Sequence, residues 1–164
     1  MKYRVFVYGS LLSGFGNHSR LETSKYVGNG WLNHAAMYDL GAFPAVHHGK
    51  EHQGGVVGEV YEVDDLTLGS LDALEGHPNF YRRKLLPIEM ATDTDGKFTE
   101  PFECWVYCFS YTCQNLRVWH GDWRRWKDRP DQDDFSIPDD WECPGCGEHE
   151  CPGCQPRQVL SQFV

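Results

Sequence analysis

The chain has 164 residues, 40% of them apolar and 14% aromatic, which suits one domain with a closed core plus a short appendage. A formal charge of −9 would repel a polyanion, and no stretch nears the roughly 18 apolar residues that span a bilayer, so nucleic-acid and membrane partners are not expected. Met1-Lys2-Tyr3-Arg4 leads into a strand rather than a signal peptide, so the composition points to a cytoplasmic protein directed at a small molecule.

In chain order, the first predicted element is a strand over Tyr3 to Tyr8, which runs into the loop Gly9-Ser10-Leu11-Leu12-Ser13-Gly14-Phe15-Gly16. Glycines there allow close backbone approach, and Ser10 adds a hydroxyl beside a row of amide donors. The pattern fits either a ligand cradle or a glycine-bent turn that binds nothing. A helix is predicted over His18 to Tyr26, followed by strands at Gly30 to Tyr38 and Gly54 to Glu62. His47, His48 and His52 flank a glycine-containing loop; they could bind metal, but histidines on a polar loop are usually solvated. A second helix runs from Asp65 to Glu75, with Asp64 or Asp65 as its cap and Gly76 as its stop.

Strands are then predicted at Arg83 to Ala91 and Phe102 to Tyr111, separated by the Thr92 to Lys97 segment, whose Asp-Gly pair signals a hairpin turn. Cys104, Cys108 and Cys113 read as packing residues, and Trp119, Trp123 and Trp126 are spaced for an amphipathic helix. Strands outnumber helices, so the class is α+β or a small closed barrel.

Within the second helix, at about 100° per residue, Leu68, Leu71 and Leu74 form an inward stripe. Glu75 lies about 40° from its centre and Asp72 roughly 100° away, at the edge. Desolvation and the negative helix end should both raise the pKa of an inward Glu75, which suits general-base work near neutrality. If the helix frays at Ala73, Glu75 is instead an exposed terminal carboxylate. In the next strand Tyr81 and Arg83 share a face that Arg82 does not, so either could line a site beside Glu75.

The sequence divides into residues 1–127, an acidic linker over 128–140 with almost no apolar content, and a Cys-rich tail over 141–164. Cys143, Cys146, Cys151 and Cys154 form two CxxC knuckles and supply enough thiolates for a tetrahedral metal. Their four-residue spacer is shorter than usual, and His149 could replace one sulfur. The Phe135 to Gly147 run is similar to the second knuckle of rubredoxins, which admits iron, but the first knuckle is absent. A structural zinc staple is the leading expectation, ahead of a redox or disulfide pair and an unliganded tail.

Several ordered motifs resemble the γ-glutamylcyclotransferase-like family, and within it the γ-glutamylamine cyclotransferase and AIG2-like branch. They are Val5-Phe6-Val7-Tyr8-Gly9-Ser10-Leu11 with Asn17-His18, Gly58-Glu59-Val60-Tyr61-Glu62-Val63, Leu71-Asp72-Ala73-Leu74-Glu75-Gly76, Tyr81-x-Arg83 and Gly121-Asp122-Trp123. The likeness covers about residues 3–126. It implies a small mixed β-barrel with flanking helices and a cavity at its mouth. It also implies that the Tyr8, Gly9, Ser10 and Leu11 loop holds the α-carboxylate and α-amine of a γ-glutamyl group, that Glu75 is the acid/base, and that Tyr81 sits near the pocket.

The reaction so implied releases 5-oxoproline and a free amine or amino acid from a γ-glutamyl amide, with no cofactor needed for catalysis. The competing expectation is a catalytically silent γ-glutamyl-fold binding module whose zinc-stapled tail contacts a protein. The Cys-rich tail has no counterpart in the family pattern.

Overall fold

A computed structural model describes residues 1–90 and 99–128. The Thr92 to Lys97 turn, nearly all of the 128–140 linker and the 141–164 tail, with Cys143, Cys146, His149, Cys151 and Cys154, lie outside the described residues.

The strands are β1 (Lys2–Val7), β2 (Lys25–Asn33), β3 (Ala35–Asp39), β4 (Pro44–His48), β5 (Gly55–Asp64), β6 (Tyr81–Met90), β7 (Phe102–Phe109) and β8 (Arg117–Val118). The helices are α1 (Asp65–Glu75) and α2 (Trp123–Lys127), with a short 3-10 turn at His18–Leu21. Five strands close into a barrel in the order β1-β5-β2-β6-β7, and β4-β3-β8 form a separate three-stranded sheet. All barrel pairings are antiparallel except β1 with β7, where Val5 faces Trp105 and Phe6 faces Val106. That parallel seam makes the barrel mixed, as the family resemblance implied.

Alternating side chains explain the closure. Phe6, Val60, Ile88 and Val106 are fully buried, and the first three converge on Gly30, where an added Cβ would meet Ile88 at 2.8 Å. Cys104 and Cys108 join this core, which agrees with their reading as packing residues; burial pushes their thiols up to about 12 and about 11. Helix α1 leaves β5 without a loop. The Asp64 carboxylate accepts the Thr67 N–H at 2.8 Å as its cap, and Gly76 ends it with φ of 61°, a left-handed conformation that favours glycine.

Four sequence expectations are corrected. The helix predicted over His18 to Tyr26 shrinks to one 3-10 turn, because Lys25 and Tyr26 are drawn into the barrel opposite Glu62 and Tyr61. The strand predicted over Gly30 to Tyr38 is two strands, broken at His34 with φ of 52°, so that the chain leaves the barrel for the second sheet. His47 and His48 belong to strand β4, paired with Ala36 and Ala35, and are half-buried rather than solvated. Of the three spaced tryptophans only Trp123 and Trp126 are helical, because Gly121 turns the chain after Trp119 with φ of 65°.

Among the described residues no helix is long and apolar enough to cross a membrane, and no group of three His, Cys, Asp or Glu side chains is arranged to hold a metal ion.

Candidate active site

The loop that follows β1 is held in a defined shape by its own polar groups. The Leu12 N–H donates to the Gly9 carbonyl at 3.0 Å and the Asn17 N–H to the Ser10 carbonyl at 3.0 Å. The Asn17 side-chain amide donates to the Ser10 hydroxyl at 2.9 Å, which leaves the serine proton free to point elsewhere. Among the described residues the N–H groups of Gly9, Ser10 and Leu11 have no acceptor, so this segment presents a row of donors. Gly9 is required here by proximity: a Cβ would meet the Pro44 ring at 2.7 Å.

A buried carboxylate fixes the loop from behind. Glu59, on β5, is 7% exposed. It accepts the Ser13 N–H at 2.9 Å, the Ser13 hydroxyl at 2.7 Å, the Tyr61 hydroxyl at 2.9 Å and the Arg124 guanidinium at 3.0 Å. Arg124 also donates to the Ser13 carbonyl at 2.9 Å. One buried anion thereby ties the loop, the barrel and α2 together, with four donors satisfying a group that would be costly to bury alone.

These elements frame a cavity of about 200 Å³. Tyr8, Gly9, Ser10, Leu11, Glu75 and Tyr81 all line it, so the structure brings together every catalytic and substrate-binding residue anticipated in the sequence. Helix α1 continues through Ala73 to Glu75, with Leu68 and Leu71 buried and Leu74 also on the cavity wall. Glu75 accordingly turns inward, and the frayed alternative does not occur. Its carboxylate has no hydrogen-bond or ion-pair partner among the described residues, and burial pushes its pKa up to about 7.

Two phenols flank it. The Tyr81 hydroxyl donates to the Pro44 carbonyl at 2.7 Å, and the Tyr8 hydroxyl donates to the Tyr107 carbonyl. Burial raises both pKa values, with the Glu75 charge adding to each, so both remain neutral donors.

Arg83, the other candidate on the Tyr81 face, stands behind the cavity instead of lining it. Its guanidinium bonds Asp72 on α1 and lies 4.7 Å above the Trp105 ring. Sequence reasoning missed Phe43, Pro44, Phe80 and Tyr107 as lining residues. Pro44 starts a strand that the sequence did not announce, and Tyr107 is reached only through the β6–β7 pairing. The aromatic run Phe80-Tyr81 was the available signal for Phe80.

The arrangement can hold an anion on backbone amides and place a proton acceptor of near-neutral pKa in the same cavity. Residues 5–125 match the model of the family described as gamma-glutamyl cyclotransferase, AIG2-like. A relative in Methanocaldococcus jannaschii, named provisionally as a gamma-glutamylcyclotransferase, is 38% identical over 128 residues, covering 77% of this chain and 99% of its own. The gamma-glutamylcyclotransferase family protein YtfP of Escherichia coli K12 is 31% identical over 121 residues, covering 73% of this chain and 95% of its own. The crystal structure of an AIG2-like protein from Mus musculus superposes with a TM-score of 0.59 at 25% identity, covering 70% of this chain and 82% of that one. The motifs, the barrel and these likenesses agree, and the chain belongs to the gamma-glutamyl cyclotransferase, AIG2-like family.

Proposed function

We propose that the protein is a cyclotransferase that converts a γ-glutamyl amide into 5-oxoproline and a free amine. The observation that carries this reading is Glu75: an inward carboxylate without a partner among the described residues, its pKa raised to about 7, lining the same cavity as a row of amide donors. Such a carboxylate can take and return protons at neutral pH, which an ordinary glutamate does poorly.

In the proposed reaction the substrate supplies its own nucleophile. Amides of the Gly9 to Leu11 loop hold the α-carboxylate, folding the donor so that the α-nitrogen sits over the γ-carbonyl carbon, an arrangement the extended conformer lacks. Glu75 removes a proton from the α-ammonium, the nitrogen closes a five-membered ring on the carbonyl carbon, and the loop amides help stabilise the oxyanion. The bond from that carbon to the departing nitrogen then breaks. The α-nitrogen loses two protons in total, and the departing amine receives both at neutral pH, with Glu75 as the carrier. No water is consumed, and the chemistry calls for no metal or organic cofactor.

The test is 5-oxoproline release from a panel of γ-glutamyl amides by the wild type and Glu75→Gln. The variant keeps the shape and removes the base, so a fall of about 10²–10⁴ in kcat is expected, with donor binding largely retained. Equal release by the two proteins would remove Glu75 from its role. Silence of the wild type on every donor would favour a binding module over an enzyme.

A further inference from the structure

We infer that the amine released by this enzyme carries an uncharged aromatic or apolar substituent, seated on the rings of Phe43 and Phe80 at the rim of the cavity. The inference rests on the cyclisation reading above and adds the class of leaving group to it.

The lining of the cavity has a polar group of residues and an apolar one. The Ser10 hydroxyl, the Asn17 amide and the unpaired loop N–H groups belong to the first, and they suit the charged head of the γ-glutamyl unit. Phe43, Pro44 and Phe80 make up the second. The two phenylalanine rings meet edge to face, with centroids 6.2 Å apart at 77°, yet remain 36% and 41% exposed. Neither is part of the buried core, and although Phe80 packs on Tyr81 and Phe109, both phenylalanines leave about a third or more of their surface open beside the cavity. The Phe80 ring continues outward to Phe109 at 5.3 Å and to Tyr111 at 6.4 Å, and Tyr111 is 56% exposed. The apolar strip therefore starts beside the cavity and runs across the surface from it.

Charge decides the rest. Among the described residues Glu75 is the only carboxylate lining the cavity, and no Lys, Arg or His lines it. A leaving amine that carries its own carboxylate, as an amino acid or dipeptide does, would press that anion against Phe43 and Phe80 with no lining cation to receive it. Lys84, with His47, His48, His52 and Glu51, lines a second depression that shares no residue with this cavity, although Phe109 and Tyr111 at the outer end of the strip line it too. A benzyl or alkyl group pays no such penalty and gains ring contact on desolvation.

Three donors separate the outcomes: γ-glutamyl-methylamide, γ-glutamyl-benzylamide and γ-glutamyl-glycine, each assayed for 5-oxoproline with wild type, Phe80→Ala and Phe43→Ala. We expect kcat/KM for the benzylamide to exceed that for the methylamide by about 10-fold or more, with the glycine donor below both. Phe80→Ala should bring the benzyl-to-methyl ratio close to one, and Phe43→Ala should lower it by a smaller factor. Turnover of all three donors at similar kcat/KM, or a preference for γ-glutamyl-glycine, would overturn this inference while leaving the cyclisation intact. A benzyl preference that survives both substitutions would remove it from this rim. No turnover of any donor would remove the cyclisation reading, and this inference with it.

Discussion

The Arg83 guanidinium grips the Asp72 carboxylate, its Nη1 standing 2.8 Å from one oxygen and 2.7 Å from the other. The first of those oxygens also accepts the Tyr107 hydroxyl at 2.6 Å. Asp72 lies one helical turn before Glu75, so β6 and β7 together fix the end of α1 and the direction in which Glu75 projects. Arg83 is in this sense a positioning residue: it does not line the cavity, but it holds the helix that does.

Arg83→Met should therefore lower kcat more than it changes KM, and cost about 2 kcal/mol of stability through the lost charged hydrogen bonds. Arg83→Lys should recover part of the stability, because an ammonium can reach the carboxylate but cannot stack on Trp105 as a guanidinium does. Urea denaturation combined with steady-state kinetics would test both. A purely structural role would lower stability without shifting the balance between kcat and KM.

Glu75, the proposed base, should link both stability and activity to pH. Its folded pKa near 7 exceeds the ordinary 4.5, so below about pH 4.5 the group is neutral in both states and costs nothing. As pH rises from 4.5 to 7 the unfolded chain ionises first, the folded state binds more protons, and stability falls, by about 3 kcal/mol at most. Glu75→Gln should consequently match wild type at pH 4 and melt higher at pH 8. For the proposed reaction, kcat/KM, which reports the free enzyme, should rise with unit slope to a plateau through about pH 7. A carboxyl carbon titration by NMR would read the same value directly.

Arg124→Met removes the cation from Glu59 and two bonds from Ser13. Because Arg124 is itself partly exposed, the loss of stability should be modest, about 1 to 2 kcal/mol. The loop it restrains should loosen, so KM should rise several-fold while kcat changes less. Hydrogen exchange over residues 9–17 should quicken in the same variant; unchanged exchange would show that Ser13 is held well enough by Glu59 alone.

Gly9→Ala would drive a methyl group into the Pro44 ring. Overpacking of this kind costs roughly 1 to 3 kcal/mol. It should also displace the carbonyl that accepts the Tyr81 hydroxyl, so activity should fall further than stability alone explains. Thermal melts and 5-oxoproline release measured side by side would separate the two effects.

The tail gives a prediction that stands on sequence alone. Purified protein spanning residues 1–164 should carry about one zinc per chain, bound through Cys143, Cys146, Cys151 and Cys154. Replacing Cys143 and Cys146 by serine should abolish it, with cyclotransferase activity retained. Elemental analysis decides the point, and stoichiometric iron would favour the rubredoxin-like reading of the knuckle.

What could be read in advance was whatever depended on short-range pattern. Asp64, Leu68, Leu71 and Gly76 give α1 its cap, its buried stripe and its stop within a dozen residues, and the inward turn of Glu75 follows from the same periodicity. The loop from Gly9 to Leu11 was legible because strand and glycines are contiguous. Strand β4 was not, since Pro44 opens it and it pairs outside the barrel. Glu59 was equally opaque: a charged residue in a strand reads as solvent-facing, and the arginine that buries it lies 65 residues away. The rim phenylalanines come from two distant segments and share no sequence signal.

The parallel seam between β1 and β7 also constrains how the protein can be made. The Tyr8 hydroxyl that closes one side of the cavity bonds a carbonyl 99 residues downstream, and Val5 waits for Trp105. A nascent chain that has emerged only as far as Met90 already contains the glycine loop, the Glu75 helix and Tyr81, but not the strand that completes the ring. Contacts this far apart in sequence form late and slowly. Competence to bind a donor should thus appear in one step with ring closure, so that a partly synthesised chain holds the residues proposed for catalysis without yet having the cavity they line.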